Sequence, residues 1–163
     1  MDDLARLVAH RQITDVLVDY CRHLDAMDLE GLAALFTAEC WVSYGPDPRL
    51  EARGRGALEA SLARMWRWRR TAHHLSTIRI WIERGDSAQA ESAVWAWHEA
   101  QDGTAADVYG LYHDKLVHDG GRWLISERRM EMRGAGGAFR LPVPPAYRAP
   151  PPPGWRAPEG LDD

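Results

Sequence analysis

Lysine is nearly absent from this chain: Lys115 stands alone against nineteen arginines. Phenylalanine is scarce too, two residues against eight tryptophans. The only cysteines, Cys21 and Cys40, lack metal-ligand spacing and read as small core fillers in a reducing compartment. No apolar run approaches the roughly 20 residues that a membrane-spanning helix needs. The net charge is −4 and no long block carries a single sign, which leaves no nucleic-acid footprint and no membrane span as partners. The opening M-D-D-L-A-R lacks the basic-then-apolar pattern of a secretory leader, so a cytoplasmic location is expected. No glycine-rich phosphate cradle and no convincing metal spacing occurs, and neither a cofactor nor a metal is expected. The tryptophans imply a thick core or an aromatic-lined pocket, and composition does not choose between them.

A chain of 163 residues suits one domain with a single core. From Leu4 to Leu24, Ile13, Val16, Leu17, Tyr20, Cys21 and Leu24 recur in threes and fours and predict an amphipathic helix. D-L-E-G-L-A-A-L-F predicts a second, short helix with Asp28 as its N-cap. E-C-W-V-S-Y-G reads as a strand that stops at Gly45-Pro46, and Gly56 to Arg69 reads as a third helix. The period then changes to two. Strands are predicted over Thr71–Glu83, Ala88–Ala100, Asp107–Val117 and Arg122–Met132, joined by short turns and therefore antiparallel. Helices first and a meander second predict an α+β fold with helices on one face of a curved sheet. The domain is expected to span residues 1–133. The Pro- and Gly-rich residues 134–163 read as an extended arm or a flexible end.

Several residues invite chemistry. Tyr20 lies on the apolar stripe of the first helix and should enter the interior. Asp25 ends that helix, where a carboxylate opposes the helix dipole unless a cation or donor holds it. In T-A-H-H-L-S-T, alternation sends His73 and His74 to opposite faces. His73 shares a face with Leu75, Thr77, Arg79 and Trp81, and His74 shares one with Ile78, Ile80 and Ile82. Because the isoleucines must also be buried, period alone does not assign His73 to an interior. His98, in W-A-W-H, is in register with Ala96, Val94 and Ser92, small residues that leave room beside it.

The ensemble resembles the SnoaL-like branch of the nuclear-transport-factor-2-like superfamily. The resemblance rests on Y-C-R-H-L-D-A-M-D-L-E-G-L-A-A-L-F, G-R-G-A-L, T-A-H-H-L-S-T, G-D-S-A-Q-A-E-S-A-V-W-A-W-H and G-G-R-W-L-I-S-E-R, in that order. It runs from about Ile13 to Arg133 and implies a cone of curved sheet, closed by the helices around a deep apolar cavity. It also implies roles: His73 rather than His74 as the base, Asp25 as its partner, and Tyr20 as a proton donor or carbonyl-polarising group. His98 becomes a second polar cavity group, and Arg128 the arginine after the last strand's tryptophan, with Arg129 adjacent. Two departures stand out. Thr77 occupies a position where asparagine is common, and Tyr20 replaces the lysine of the branch's dehydrochlorinase.

An imidazole whose partner carboxylate fixes its tautomer is a competent base near neutral pH, and a phenol donates a proton without carrying charge into an apolar cavity. The expected activity is that of a lyase, dehydration first, or an isomerase, acting on a hydrophobic, cyclic or aromatic small molecule. A natural-product cyclase or a non-catalytic binding module are the alternatives. Trp41, Tyr44, Met65, Trp66, Tyr109, Met130 and Met132 are the expected cavity aromatics and thioethers. A homotrimer or homodimer is expected, assembled through a convex sheet face bearing Ile78, Ile80 and Ile82 or Trp95 and Trp97. The glycines Gly134, Gly136 and Gly137 are expected to hinge the arm, whose Phe139, Leu141, Val143, Tyr147 and Trp155 would cover the cavity mouth or a neighbouring subunit.

Overall fold

Asp2 starts the first helix by accepting the Ala5 amide at 2.7 Å, which satisfies one of the otherwise orphaned N-terminal donors. In the computed structural model, which describes residues 2–83, 86–141, 143–144 and 152–154, α1 then runs over Asp3–Ala26. It buries Ile13, Leu17, Tyr20, Cys21 and Leu24 and stops at Met27 in the left-handed conformation. α2 (Leu29–Ala34) begins at Asp28, whose carboxylate accepts the Gly31 amide at 3.0 Å, the cap expected from sequence.

β1 (Phe36–Ser43) and the short β2 (Glu51–Arg53) follow, then α3 (Arg55–Leu62). The helix expected to continue to Arg69 ends at Leu62. A 3-10 turn covers Ala63–Arg67, and β3 (Trp68–Ile82) begins at once. The reason lies in R-W-R-W-R-R: after Met65 the apolar residues alternate instead of falling in threes and fours, and Trp66 is left 63% exposed. β4 (Ser87–Ala100), β5 (Ala105–Asp119) and β6 (Arg122–Gly137) complete the regular structure of the described residues.

The six strands form one curved, unclosed mixed sheet in the order β2-β1-β6-β5-β4-β3. Strands β3 to β6 are the predicted antiparallel meander, and β1 joins β6 in parallel. The concave face carries the core and receives α1.

An irregularity in β3 resolves the conflict between His73 and the isoleucines. The β3–β4 register shifts between Ser76 and Arg79, and Thr77 takes a positive φ of 46°. Before the bulge, His73 and Leu75 pair with Ala96 and Val94; after it, Ile80 and Ile82 pair with Ala90 and Ala88. All four partners are buried even-numbered residues of β4, so the inward parity of β3 changes from odd to even at the bulge. His73 and the isoleucines therefore share the concave face. Ile78, Ile80 and Ile82 pack against the core, contrary to the convex placement considered for assembly, while Trp95 remains 45% exposed on the outside.

β6 also runs further than expected. Gly134 and Gly136 are not a hinge after the last strand: they pair with Tyr109 and Asp107 of β5, and the strand ends at Gly137. A Cβ on Gly137, at φ 63°, would stand 2.3 Å from the Ala105 carbonyl oxygen, so the close approach requires glycine. Beyond it, Val143 packs against the core. Tyr147 and Trp155 lie outside the described residues.

Candidate active site

The last turn of α1 meets β3 before its bulge, and there the Asp25 carboxylate gathers three donors. The His73 amide reaches Oδ2 at 2.9 Å, the Thr71 hydroxyl reaches Oδ1 at 2.7 Å, and the His73 ring Nδ1 lies 2.6 Å from Oδ1. These contacts answer the unfavourable placement of a carboxylate at a helix C-terminus. Burial alone would raise the Asp25 carboxyl; the hydrogen bonds from His73 and Thr71 outweigh it and hold the group below the ordinary carboxylate range. An ionised carboxylate only accepts, so Nδ1 carries the proton. In the neutral ring Nε2 then keeps its lone pair. The His73 side chain is 4% exposed and lines the main cavity.

Three tyrosines, Tyr20, Tyr44 and Tyr112, share that cavity, and two of them are paired. The Tyr20 and Tyr44 hydroxyls are 2.6 Å apart and both rings are buried. Burial pushes Tyr20 up to about 12, against the pull of Arg128, and raises Tyr44 well above the usual phenol value. Each stays protonated at cellular pH. In such a pair one hydroxyl donates to the other, and the acceptor's own proton remains for a third group.

Behind the phenols, Arg128 is fully buried, 4.0 Å from the Tyr20 ring centroid and 4.4 Å from that of Tyr112. Its Nε and Nη2 donate to the two oxygens of Asp114 at 2.7 and 2.8 Å. Arg128 was expected to touch substrate; it does not line the cavity and reaches it only through the tyrosines.

His98 meets His73 edge-on, with ring centroids 5.5 Å apart, and Trp68 at 5.0 Å. Burial, and then the neighbouring His73, lower its imidazole to about 4, so His98 is neutral at cellular pH. Its Nδ1 and the Trp68 Nε1 are buried without a hydrogen-bond partner among the described residues. Leu24, Leu62, Met65, Val108, Met130 and Met132 supply the apolar wall. Phe139 and Leu141 of the arm also line this space. The cavity holds about 90 Å³, less than the roughly 150 Å³ that accommodates benzene in a protein core. Among the described residues, no three His, Cys, Asp or Glu side chains are grouped to hold a metal ion.

Of the residues singled out from sequence, His73, Tyr20, Tyr44, His98 and Met130 line one cavity, with Asp25 behind His73. Three do not. Trp66 projects to solvent from the 3-10 turn. Trp41 alternates with the buried Cys40 and Val42 and lies under Arg53, 5.8 Å from the ring. Tyr109 is 44% exposed on the convex face, stacked on Trp95. Sequence reasoning passed over Thr71, Trp68, Tyr112 and Asp114. Parity in β5 held a signal for the last two: Val108, Gly110, Tyr112 and Leu116 fall on one face, with Asp107, His113 and Lys115 on the other. A lone aspartate on the apolar parity calls for a buried cation, and Arg128 is its cross-strand partner.

The family profile of the SnoaL-like domain matches residues 5–129. The chain belongs to the SnoaL-like domain family. No curated protein matches it. Among solved structures, this SnoaL-like protein is similar to a candidate scytalone dehydratase from Novosphingobium aromaticivorans, at 33% identity over 89% of this chain and 97% of that one, with a TM-score of 0.82. A type 2 hexachlorocyclohexane dehydrochlorinase shares 16% identity over 93% and 99% of the two chains, with a TM-score of 0.76. A type 3 dehydrochlorinase from Novosphingobium barchaimii shares 18% over 88% and 100%, with a TM-score of 0.75. The two dehydrochlorinases bear on the fold alone.

Proposed function

We propose that this SnoaL-like protein is a lyase that removes water from a hydrophobic cyclic or aromatic hydroxy-carbonyl compound, with His73 as general base. The observation that carries the reading is the Asp25–His73 pair at 2.6 Å, which holds Nδ1 and leaves Nε2 for a substrate proton in a cavity that also contains the hydrogen-bonded Tyr20–Tyr44 pair. Nε2 takes the proton from the carbon next to a carbonyl, and the C–H electron pair forms the new double bond. The β C–O bond breaks, and the departing hydroxide takes a proton from the Tyr20–Tyr44 pair to leave as water, a proton that the His73 imidazolium then restores. Tyr20 and Tyr44 stabilise the oxyanion or leaving group, and Asp25 stabilises the imidazolium. The relative named for scytalone dehydration, at 33% identity, agrees with the choice of an elimination.

The phenol pair equally suits an enolising carbonyl, so a substrate without a β leaving group would undergo a double-bond shift instead. A β-hydroxytetralone tests both steps. In deuterated water, nuclear magnetic resonance follows exchange of the α proton, and fluorescence follows the naphthol formed by loss of water. Both should depend on His73 and Asp25. Exchange and dehydration undiminished in His73→Ala overturn the proposal.

A further inference from the structure

The cavity does not end at its apolar wall. Leu50, Arg64, Arg67, Trp68, Phe139 and Leu141 line both it and an outer groove of about 460 Å³, so the two spaces adjoin across the same side chains. The groove has a charge imbalance. Its lining includes four arginines, Arg49, Arg64, Arg67 and Arg140, against one carboxylate, Asp47, which is already bound to Arg49. The chain as a whole carries −4, so its cavity mouth has the opposite sign.

Arg64 is the informative member. It is half-buried, with Nη1 tied to the carbonyl (2.6 Å) and hydroxyl of Ser61, and its guanidinium carbon lies 5.7 Å from the Tyr44 ring centroid. Among the described residues no carboxylate pairs with Arg64 or Arg67, and Nε and Nη2 of Arg64 have no protein acceptor. Arg67, stacked 4.9 Å over Trp68, adds a second cation beside it. Burial, opposed by the tyrosines and reinforced by Arg67, pulls the Arg64 guanidinium below its usual value. Holding a desolvated cation beside another one is unfavourable unless an anion arrives.

We propose that the ligand is amphipathic: its apolar body enters the cavity, and an oxyanion, carboxylate or phosphate, stays at the mouth between Arg64 and Arg67. The inference rests on reading the cavity as a substrate site and adds the charge of the substrate to it. The contact of Arg64 with the Tyr44 ring puts the anion on that side of the cavity, so it orients the body before His73 acts.

Three probes with one ring system separate the terms: naphthoate, naphthyl phosphate and the neutral naphthalenemethanol, each titrated calorimetrically at low ionic strength. One or both anions should bind about tenfold more tightly than the alcohol. That preference should shrink as salt is added. Which anion wins distinguishes carboxylate from phosphate. The double variant Arg64→Gln/Arg67→Gln should lose the preference, and Arg64→Lys should keep part of it. Arg67→Glu, at an exposed position, keeps the test decisive if the double variant does not fold. Equal affinity for anion and alcohol, a preference that survives loss of both arginines, or no binding of any probe overturns the inference. His73→Ala should leave the preference intact while removing exchange and dehydration, so this inference and the assignment of the base fail separately.

Discussion

Asp25 holds His73 at two points of the same residue, the backbone amide at 2.9 Å and ring Nδ1 at 2.6 Å. One contact fixes where β3 sits against the end of α1, and the other fixes the tautomer and aim of the ring. A single carboxylate thus couples strand position to proton chemistry.

Separating those contributions predicts the variants. His73→Ala should abolish exchange and dehydration of the hydroxytetralone, with a loss on the order of 10²–10⁴-fold, the usual worth of a general base. Asp25→Asn should cost a similar factor in rate and also lower the melting temperature, because the strand contact weakens. Steady-state rates and thermal melts on the same preparations check both.

Stability should fall on the acid side for a named reason. His98 is lowered to about 4 in the fold, whereas an unfolded histidine titrates near about 6.5. Its contribution is complete above that unfolded value and is lost as the pH falls toward about 4, because the unfolded chain takes up a proton that the folded one refuses. The loss is on the order of 3 kcal/mol. Asp25, held below the ordinary range, adds a further loss at still lower pH as its folded value is crossed. Urea unfolding at stepped pH should show the first limb in the native protein and not in His98→Gln.

Tyr44→Phe leaves the buried Tyr20 hydroxyl without its partner, and an unsatisfied buried group costs about 1–3 kcal/mol. In the native protein the raised Tyr20 contributes stability below the usual phenol value of about 10, lost as the pH rises toward about 12. Ultraviolet titration should find Tyr20 un-ionised at a pH where free phenols have ionised.

Arg128→Met should destabilise by about 3–5 kcal/mol, because Asp114 is left charged and buried. Arg128→Met with Asp114→Leu should recover much of that. A double-mutant cycle in urea measures it.

Thr77 is a β-branched residue at φ 46°. Thr77→Gly should stabilise the protein by up to about 1 kcal/mol by removing left-handed strain, less the chain entropy of glycine. Deleting Thr77 should do the reverse: without the bulge, either His73 or the isoleucines must turn outward, and thermal melting should show a severe loss.

The elements themselves were written locally. The stripe from Ile13 to Leu24, the Asp28 cap, the turn glycines and the alternation of the last four strands predict α1, α2 and the meander, because such signals depend on neighbours a few residues apart. The resemblance added the pairing of Asp25 with His73. Tertiary structure alone decided which residues share the cavity. One bulge at Ser76–Arg79 changes the parity of β3, and no local pattern announces it, since the register is settled by packing against β4 and α1. The same holds for Trp66 and Tyr109, whose aromatic rings are as compatible with an outer face as with an inner one. Arg128 and Asp114 illustrate the limit most plainly. Parity marks Asp114 as a carboxylate on an apolar face, but only the β5–β6 register names Arg128 as its partner in the dry space behind Tyr20.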